Sequence, residues 1–382
     1  MKTDFLIVGA GFFGATVAEQ LAAAGFRVSI LEKRTHVGGN CFSKIDPETG
    51  IECHEYGPHI FHTSDEKVWA HLNRFTVFNT YQHTVWTTFK GRVYSMPINL
   101  ATINAYYGLN LKPREVEAFI EQERTKEIVL YPQNLEEKAI SLIGRPLYEA
   151  FIRGYTIKQW EKDPKELPSD IITRLSVRHN FNNRYFDDKY EGIPLDGYTK
   201  IFERMLDHPK IDVHLNKDYF DLKDEFDGIP MLYTGPIDRF FEYKYGRLDW
   251  RTINFERQVH EIPDYQGCAQ MNYADDSAPF TRIHEFKHYH PERPATDRTV
   301  TFKEFSRVAG PADDPYYPVN TSRNTKLLEQ YQHEAKGLKS CWFGGRLGSY
   351  RYFDMGDSVA AALTCAEKIR TESINLNIRK IT

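Results

Sequence analysis

Residues 5–14 read Phe-Leu-Ile-Val-Gly-Ala-Gly-Phe-Phe-Gly and run on through an alanine-rich stretch, 15–24, to Gly25. Four apolar residues in succession, 5–8, read as a buried parallel strand. Gly9, Gly11 and Gly14 then supply a tight turn, a close approach of backbone to a pyrophosphate, and close packing of the following helix on the sheet. The phosphate sits at the helix N-terminus. The pattern is weak by itself, and its context is what strengthens it. A second strand, 27–31, follows Gly25 and ends in Glu32, an acid about twenty residues on that can hold a ribose 2′-OH. The alternative is a βαβ core that binds nothing.

The next residues sharpen the cofactor. Glu32 is followed by Lys33 and Arg34, and then by Val37-Gly38-Gly39-Asn40, a second glycine pair that lets backbone amides approach another anionic group. Two-part glycine patterns of this kind resemble FAD proteins more than nicotinamide dehydrogenases. The Glu32 carboxylate would repel a 2′-phosphate, which argues against NADP as the tightly held ligand.

Composition narrows the class. At 382 residues the chain is long for one core and suggests two or three domains. A net charge of -4 leaves no electrostatic footprint for nucleic acid, and no Lys/Arg block marks a membrane surface. The 14% of aromatic residues, many beside Arg, Asn and Asp, suits a pocket for rings and sugars as well as ordinary core. Five cysteines, Cys41, Cys53, Cys268, Cys341 and Cys365, form no CxxC pair, so reduced thiols are expected. Lys2 and the following apolar run imitate a signal peptide, but Asp4, Glu19 and the glycine fingerprint oppose it. With no apolar run of the ~18 residues a spanning helix needs, membrane insertion is not expected and the cytoplasm is the expected location.

Farther along, Tyr56-Gly57-Pro58-His59-Ile60-Phe61-His62-Thr63 is a Gly-Pro loop with two histidines three apart, read as contacts to cofactor or substrate or as structural residues. A helix over 64–75, capped by Thr63 or Ser64, follows. Residues 84–97 alternate around Lys90-Gly91 and read as a hairpin. Helical spacing dominates 100–153: Pro113 opens 115–127, Asn134 caps 135–143, Gly144 stops that helix and Pro146 starts 147–154. A polar, proline-punctuated segment comes next, either a mobile lid or plain surface. Helix 198–206 and strands 211–215 and 230–234 then return to the first sheet. Residues 250–305 alternate, and Arg282, His284, Phe286, His288 and His290 are expected on one strand face. His284-Glu285-x-x-His288 is the zinc-protease pattern, but that motif binds metal on a helix; no metal site is expected. The chain closes with strand 341–343, Gly344-Gly345-Arg346, and an alanine-rich helix to Ile369 capped by Asp357 or Ser358.

Taken together, these blocks closely resemble the bacterial UDP-galactopyranose mutases over essentially the whole chain. The resemblance rests on 7–14, 32–40, 56–62, Asn134-Leu-Glu-Glu137, Gly154-Tyr-Thr-Ile-Lys-Gln-Trp160, Tyr233-Thr-Gly-Pro-Ile-Asp238, Thr281-Arg282-Ile283, Pro315-Tyr-Tyr-Pro-Val-Asn320 and 344–355. It implies an α/β fold in which a Rossmann-like FAD-binding domain (1–80, 193–240, 326–382) carries an inserted helical bundle (98–153). An antiparallel-sheet substrate domain (81–97, 154–192, 241–325) with a mobile loop at 168–182 completes it. It also implies an isomerase that interconverts UDP-galactopyranose and UDP-galactofuranose with no net redox change, N5 of reduced FAD attacking the anomeric carbon as a covalent nucleophile.

Carried over by motif, Arg174 and Arg282 resemble a diphosphate clamp, which guanidinium forks fit geometrically. They and His62 are the expected catalytic residues. Phe151 and Tyr155 resemble a uracil-stacking pair; Thr156, Trp160, Tyr185, Tyr317, Tyr352 and Asp354 fall on the rest of the substrate pocket. Gly9, Gly11, Phe13, Gly14, Glu32, Lys33, Gly39, Asn40, His59, Ile60, His62, Thr234, Gly235, Arg346, Asp354 and Met355 form the expected cofactor set. The family further implies a homodimer and galactofuranose for cell-surface polysaccharide; NAD(P)H is a possible external reductant. The alternative is an FAD-dependent oxidoreductase of amine oxidase or hydroxylase type, which would need no diphosphate clamp. A non-catalytic dinucleotide-binding protein is disfavoured because it would leave the aromatic and arginine blocks without a purpose.

Overall fold

The computed structural model describes residues 3–172 and 177–375. A five-stranded, all-parallel sheet has the order Cys341–Phe343, Met231–Tyr233, Phe5–Val8, Val28–Glu32, Ile211–Leu215. Strand alternation divides the apolar run at 5–8 between two cores. Phe5 and Ile7 pack with Leu21, Phe202 and Val359 from three helices on one face, while Leu6 joins Leu31, Met231 and Tyr233 on the other. Burial on both faces is what a near-continuous apolar strand requires.

The helix after the glycine turn is Phe12–Ala23, beginning three residues earlier than its alanines suggest, inside the turn itself. It packs against the long closing helix Met355–Asn375. That helix is capped by Asp354, whose Oδ1 accepts the Asp357 N–H at 2.7 Å; the expected caps Asp357 and Ser358 sit in its first turn. Likewise Asp65, not Thr63 or Ser64, caps the short helix Glu66–Leu72.

A seven-stranded sheet has the order Tyr317–Pro318, Trp250–His260, Thr299–Val308, Arg282–Glu285, Gln270–Tyr273, Val85–Phe89, Arg92–Met96, and is antiparallel except between Gln270–Tyr273 and Val85–Phe89. The hairpin turns at Lys90 and Gly91, both with positive φ, as a two-residue type I′ connection requires. The alternation expected through 279–291 ends at Glu285, where a 3₁₀ turn, Phe286–Tyr289, takes over. Arg282 and His284 therefore keep one face, on which both meet Glu304, and the regular alternation does not carry His288 and His290 onto it.

Helices Leu100–Tyr107, Pro113–Thr125 and Leu135–Ile143 bury Ile103, Ile120, Ala139 and Ile140 in a separate core. After Gly144 the chain stays helical through Arg145–Tyr148, a π-helical turn at Glu149–Arg153, and Gly154–Trp160. Residues 155–160, which lead into the polar segment, are thus the last helix of this run.

That final helix is seated on the seven-stranded sheet by two features. A Cβ at Gly154 would lie 2.3 Å from the Ala274 carbonyl oxygen, so only glycine permits the approach. The Lys158 ammonium donates to the carbonyls of Tyr273, Asp275 and Ala278 at 2.6, 2.7 and 3.1 Å. Lys158→Met leaves three acceptors without their donor and is expected to cost about 3 kcal/mol, read as a lower urea midpoint at unchanged slope.

Candidate active site

The turns at the C-terminal ends of the parallel strands open a cavity of about 520 Å³, the place where open α/β sheets bind dinucleotides. Two glycine turns build its floor. A Cβ at Gly39 would stand 3.2 Å from the Gly11 Cα, so backbone faces backbone there across a slot that side chains would fill, and one at Gly9 would stand 2.2 Å from the Thr234 hydroxyl oxygen. Gly344 meets the Phe13 ring at 2.3 Å by the same measure. The Glu32 carboxylate is oriented by the N–H groups of Ala10 at 2.8 Å and Arg34 at 2.9 Å. Its remaining lone pairs suit ribose hydroxyls. This backbone cradle fits a dinucleotide pyrophosphate, with the N-termini of two helices beside it.

Of the expected cofactor residues, Gly9, Gly11, Phe13, Gly14, Glu32, Lys33, Gly39, Asn40, His59, Thr234, Gly235, Arg346, Asp354 and Met355 all line this cavity. Ile60 lies in the core, and His62 stands behind the wall. Sequence reasoning missed the far end, where Asp218, Arg239 and Arg247 line the cavity, and a roof at 309–315 from the other sheet. Asp314 in that roof pairs with Lys33 and Arg34, each at 2.7 Å. The acidic pair after Gly310-Pro311 was its only sequence signal. His59 donates Nδ1–H to the Gly57 carbonyl at 2.7 Å, and burial lowers its pKa to about 4, so its imidazole is neutral at pH 7. All five cysteines are unpaired.

Beyond Arg346 the cavity meets a second group of residues. Arg346 donates to the carbonyls of Tyr316 and Phe353 at 3.2 and 2.5 Å, and its guanidinium lies 5.6 and 5.1 Å from the ring centres of Tyr317 and Tyr352, which stack on each other. Arg282 lies across from them. Its Nε and Nη2 donate to Glu304 Oε1 at 2.9 and 2.5 Å, while Glu304 Oε2 meets His284 Nε2 at 2.8 Å. Burial alone would raise the Glu304 carboxyl; the Arg282 charge and the His284 hydrogen bond outweigh it and hold the pKa down to about 2. Arg282 also acts on the hydroxyls of Tyr155 and Tyr317, and burial pushes the latter up to about 12. Glu304 is in register with Arg282 across neighbouring strands, a pairing that no local pattern announces.

The structure thus brings Arg282, Tyr155, Tyr317, Tyr352, Arg346 and Asp354 toward one mouth. Tyr185 is half-exposed and packs edge-on against His83, and Trp160 ends its helix with its carbonyl held by Arg251. Thr156 is buried. Phe151 is 4% exposed and packs edge-on against Tyr94 and Tyr106 within the helical core. Arg174 and residues 173–176 of the expected loop lie outside the described residues. His62 hydrogen-bonds through Nδ1 to Asp188 Oδ2 at 2.7 Å and stacks on Phe186. The zinc-protease pattern divides. His284 turns to Glu304, while His288 lies near Asp264 and Glu285, where the Lys287 ammonium, 3.1 Å from Asp264, already provides a cation.

No helix among the described residues is long and apolar enough to cross a membrane. The sequence model of an NAD(P)-binding Rossmann-like domain matches residues 7–75, and that of UDP-galactopyranose mutase matches residues 150–352. A Klebsiella pneumoniae protein named "Probable UDP-galactopyranose mutase" is 43% identical over 97% of this chain and 96% of its own. An Escherichia coli dTDP-fucopyranose mutase is 40% identical over 95% of this chain and 97% of its own. The crystal structure of a reduced UDP-galactopyranose mutase shares the fold, with a TM-score of 0.72 at 16% identity, covering 97% of this chain and 94% of that one. A Rossmann cradle joined to this arginine and tyrosine mouth, with matches of such identity and coverage, places the chain in the UDP-galactopyranose mutase family.

Proposed function

We propose that this chain holds FAD in the long cavity and interconverts UDP-galactopyranose and UDP-galactofuranose at its mouth. The observation that carries the reading is Arg282, fixed by buried Glu304 beside Tyr155 and Tyr317 at the end of the cavity where Arg346, Asp354 and Met355 stand. Bound in this cavity and reduced, FAD would supply nucleophilic nitrogen chemistry toward an anomeric carbon with no net redox change. The chain's own residues do the rest. Glu304 occupies Nε and Nη2 of Arg282, leaving Nη1 to take a diphosphate oxygen, with Arg174 as its partner in the clamp. Tyr155 over Phe151 and Thr156 receives the uracil, and Trp160, Tyr185, Tyr317, Tyr352 and Asp354 enclose the sugar and phosphates. Arg346 and Met355 border the flavin, and His62 acts on that side from behind Asp354. Holding the departing diphosphate near the anomeric carbon keeps the return reaction intramolecular in effect.

The test is chromatography of UDP-galactofuranose incubated with the protein, with and without dithionite. Conversion to UDP-galactopyranose in the reduced sample alone supports the reading. No conversion with reducible flavin bound favours an oxidoreductase of amine oxidase or hydroxylase type. The similarity to a dTDP-fucopyranose mutase supports a second substrate, and dTDP-fucopyranose belongs in a parallel tube.

Asp314→Ala removes both ion pairs of the roof. At a few tenths to one kcal/mol each, FAD release after dilution is expected to be about three- to tenfold faster, followed by recovery of flavin fluorescence. Further parts of the proposal are a cytoplasmic homodimer, galactofuranose supply for cell-surface polysaccharide, NAD(P)H as an external reductant, and the three-part division given above.

A further inference from the structure

His62 projects from strand Phe61–Thr63, which pairs antiparallel with Tyr190–Gly192. The chain just before that partner strand folds back over the imidazole. Phe186 stacks on the ring at 3.6 Å between centres, and Asp188 Oδ2 lies 2.7 Å from Nδ1. The other Asp188 oxygen accepts the Ser64 hydroxyl at 2.7 Å, so the carboxylate is itself held in place. A carboxylate only accepts, which puts a proton on Nδ1. Nε2 then faces Asp354, whose Oδ2 is 4.0 Å away and whose other oxygen caps the helix beginning at Met355 in the cavity wall.

We propose that Asp188 is a positioning residue for His62: it fixes the ring in the Nδ1–H form and so presents Nε2 on the side of Asp354 and the cofactor. The inference rests on the functional reading of the cavity. Its chemical basis is the fixed tautomer, which leaves Nε2 as the ring's acceptor, able to take and return a proton while hydroxyls of the substrate lose and regain theirs during ring opening and closure. The charges facing the imidazole are Asp188 from the segment before the partner strand and Asp354 from the closing helix, with Arg184 acting on Asp188 and His83 packed on the far side of Phe186. Asp188 also lies just beyond the expected substrate loop and Tyr185, so the segment carrying substrate contacts is the one that orients the histidine.

The test uses the FAD-loaded protein and Asp188→Asn, which retains an oxygen acceptor but loses the charge. The tautomer of the histidine ring nitrogens is read by NMR, with His62→Asn assigning the signal. In wild type His62 is expected in the Nδ1–H form when neutral. Asp188→Asn is expected to keep the Nδ1–H form and a kcat/KM within a few-fold of wild type, whereas Asp188→Ala is expected to lower kcat/KM about tenfold. Asp188→Ala is expected to lose the Nδ1–H preference. A His62 that keeps the Nδ1–H form in Asp188→Ala, or an Asp188→Ala variant that loses it and still turns over at the wild-type kcat/KM, overturns the proposal. Because the tautomer is read without turnover, a protein inactive on UDP-galactofuranose but with the expected His62 spectrum would count against the substrate and leave the Asp188–His62 coupling supported.

Discussion

Arg282→Ala lowers kcat/KM for UDP-galactofuranose at least tenfold. A charged hydrogen bond to a diphosphate oxygen is worth about 1.5 to 3 kcal/mol, roughly tenfold to more than a hundredfold in rate. The structure adds a second cost, because Glu304 is buried and depends on Arg282 for two of its hydrogen bonds. Removing one partner of a buried pair costs about 3–5 kcal/mol. Arg282→Lys separates the two effects: it keeps a cation for Glu304, so stability recovers more than turnover, since an ammonium lacks the fork. Stability should also respond to pH. With its folded pKa depressed to about 2, Glu304 stabilises the fold above its unfolded value and loses that contribution as pH falls through about 2. In Arg282→Ala the loss begins at higher pH. Urea unfolding between pH 2 and 7 alongside initial rates checks both; wild-type kinetics in Arg282→Ala would remove this residue from the site.

Gly14→Ala is expected to yield a protein that purifies without flavin. The added Cβ would stand 2.0 Å from the Gly9 carbonyl oxygen and 3.1 Å from its carbon. Neither is a side-chain end that can swing away. Gly9 itself has φ near +101°, where an L-residue is strained, so the turn has little freedom to move aside. Relief requires the helix to lift from the sheet, which carries the amides at its N-terminus away from the pyrophosphate. Overpacking of this kind costs about 1–3 kcal/mol, and a backbone clash lies at the upper end. Flavin absorbance relative to protein, with the thermal midpoint, is the measurement. A flavin-replete Gly14→Ala variant at wild-type stability would show that helix spacing is not set by this glycine.

By itself the sequence determined the βαβ unit, the hairpin at Lys90-Gly91, the helix Tyr198–Leu206 and most of the cofactor cradle. Each depends on apolar period, on glycine's backbone freedom, or on a cap within a few residues, and all of these are local. Its errors were also local in cause. Helical continuation from Arg153 to Trp160 was hidden because Gly154 reads as a stop, whereas it serves a close approach to Ala274. The alternation at 282–290 breaks at Glu285, where a 3₁₀ turn redirects the chain. Only the tertiary structure decided that Glu304 orients Arg282, 22 residues away, that Asp188 meets His62 across 126 residues, and that Asp314 closes on Lys33 across 281. Those pairings follow from strand register and from the packing of one sheet against another, and many carboxylates in the chain would serve as well by type; what selects these is where the fold delivers them.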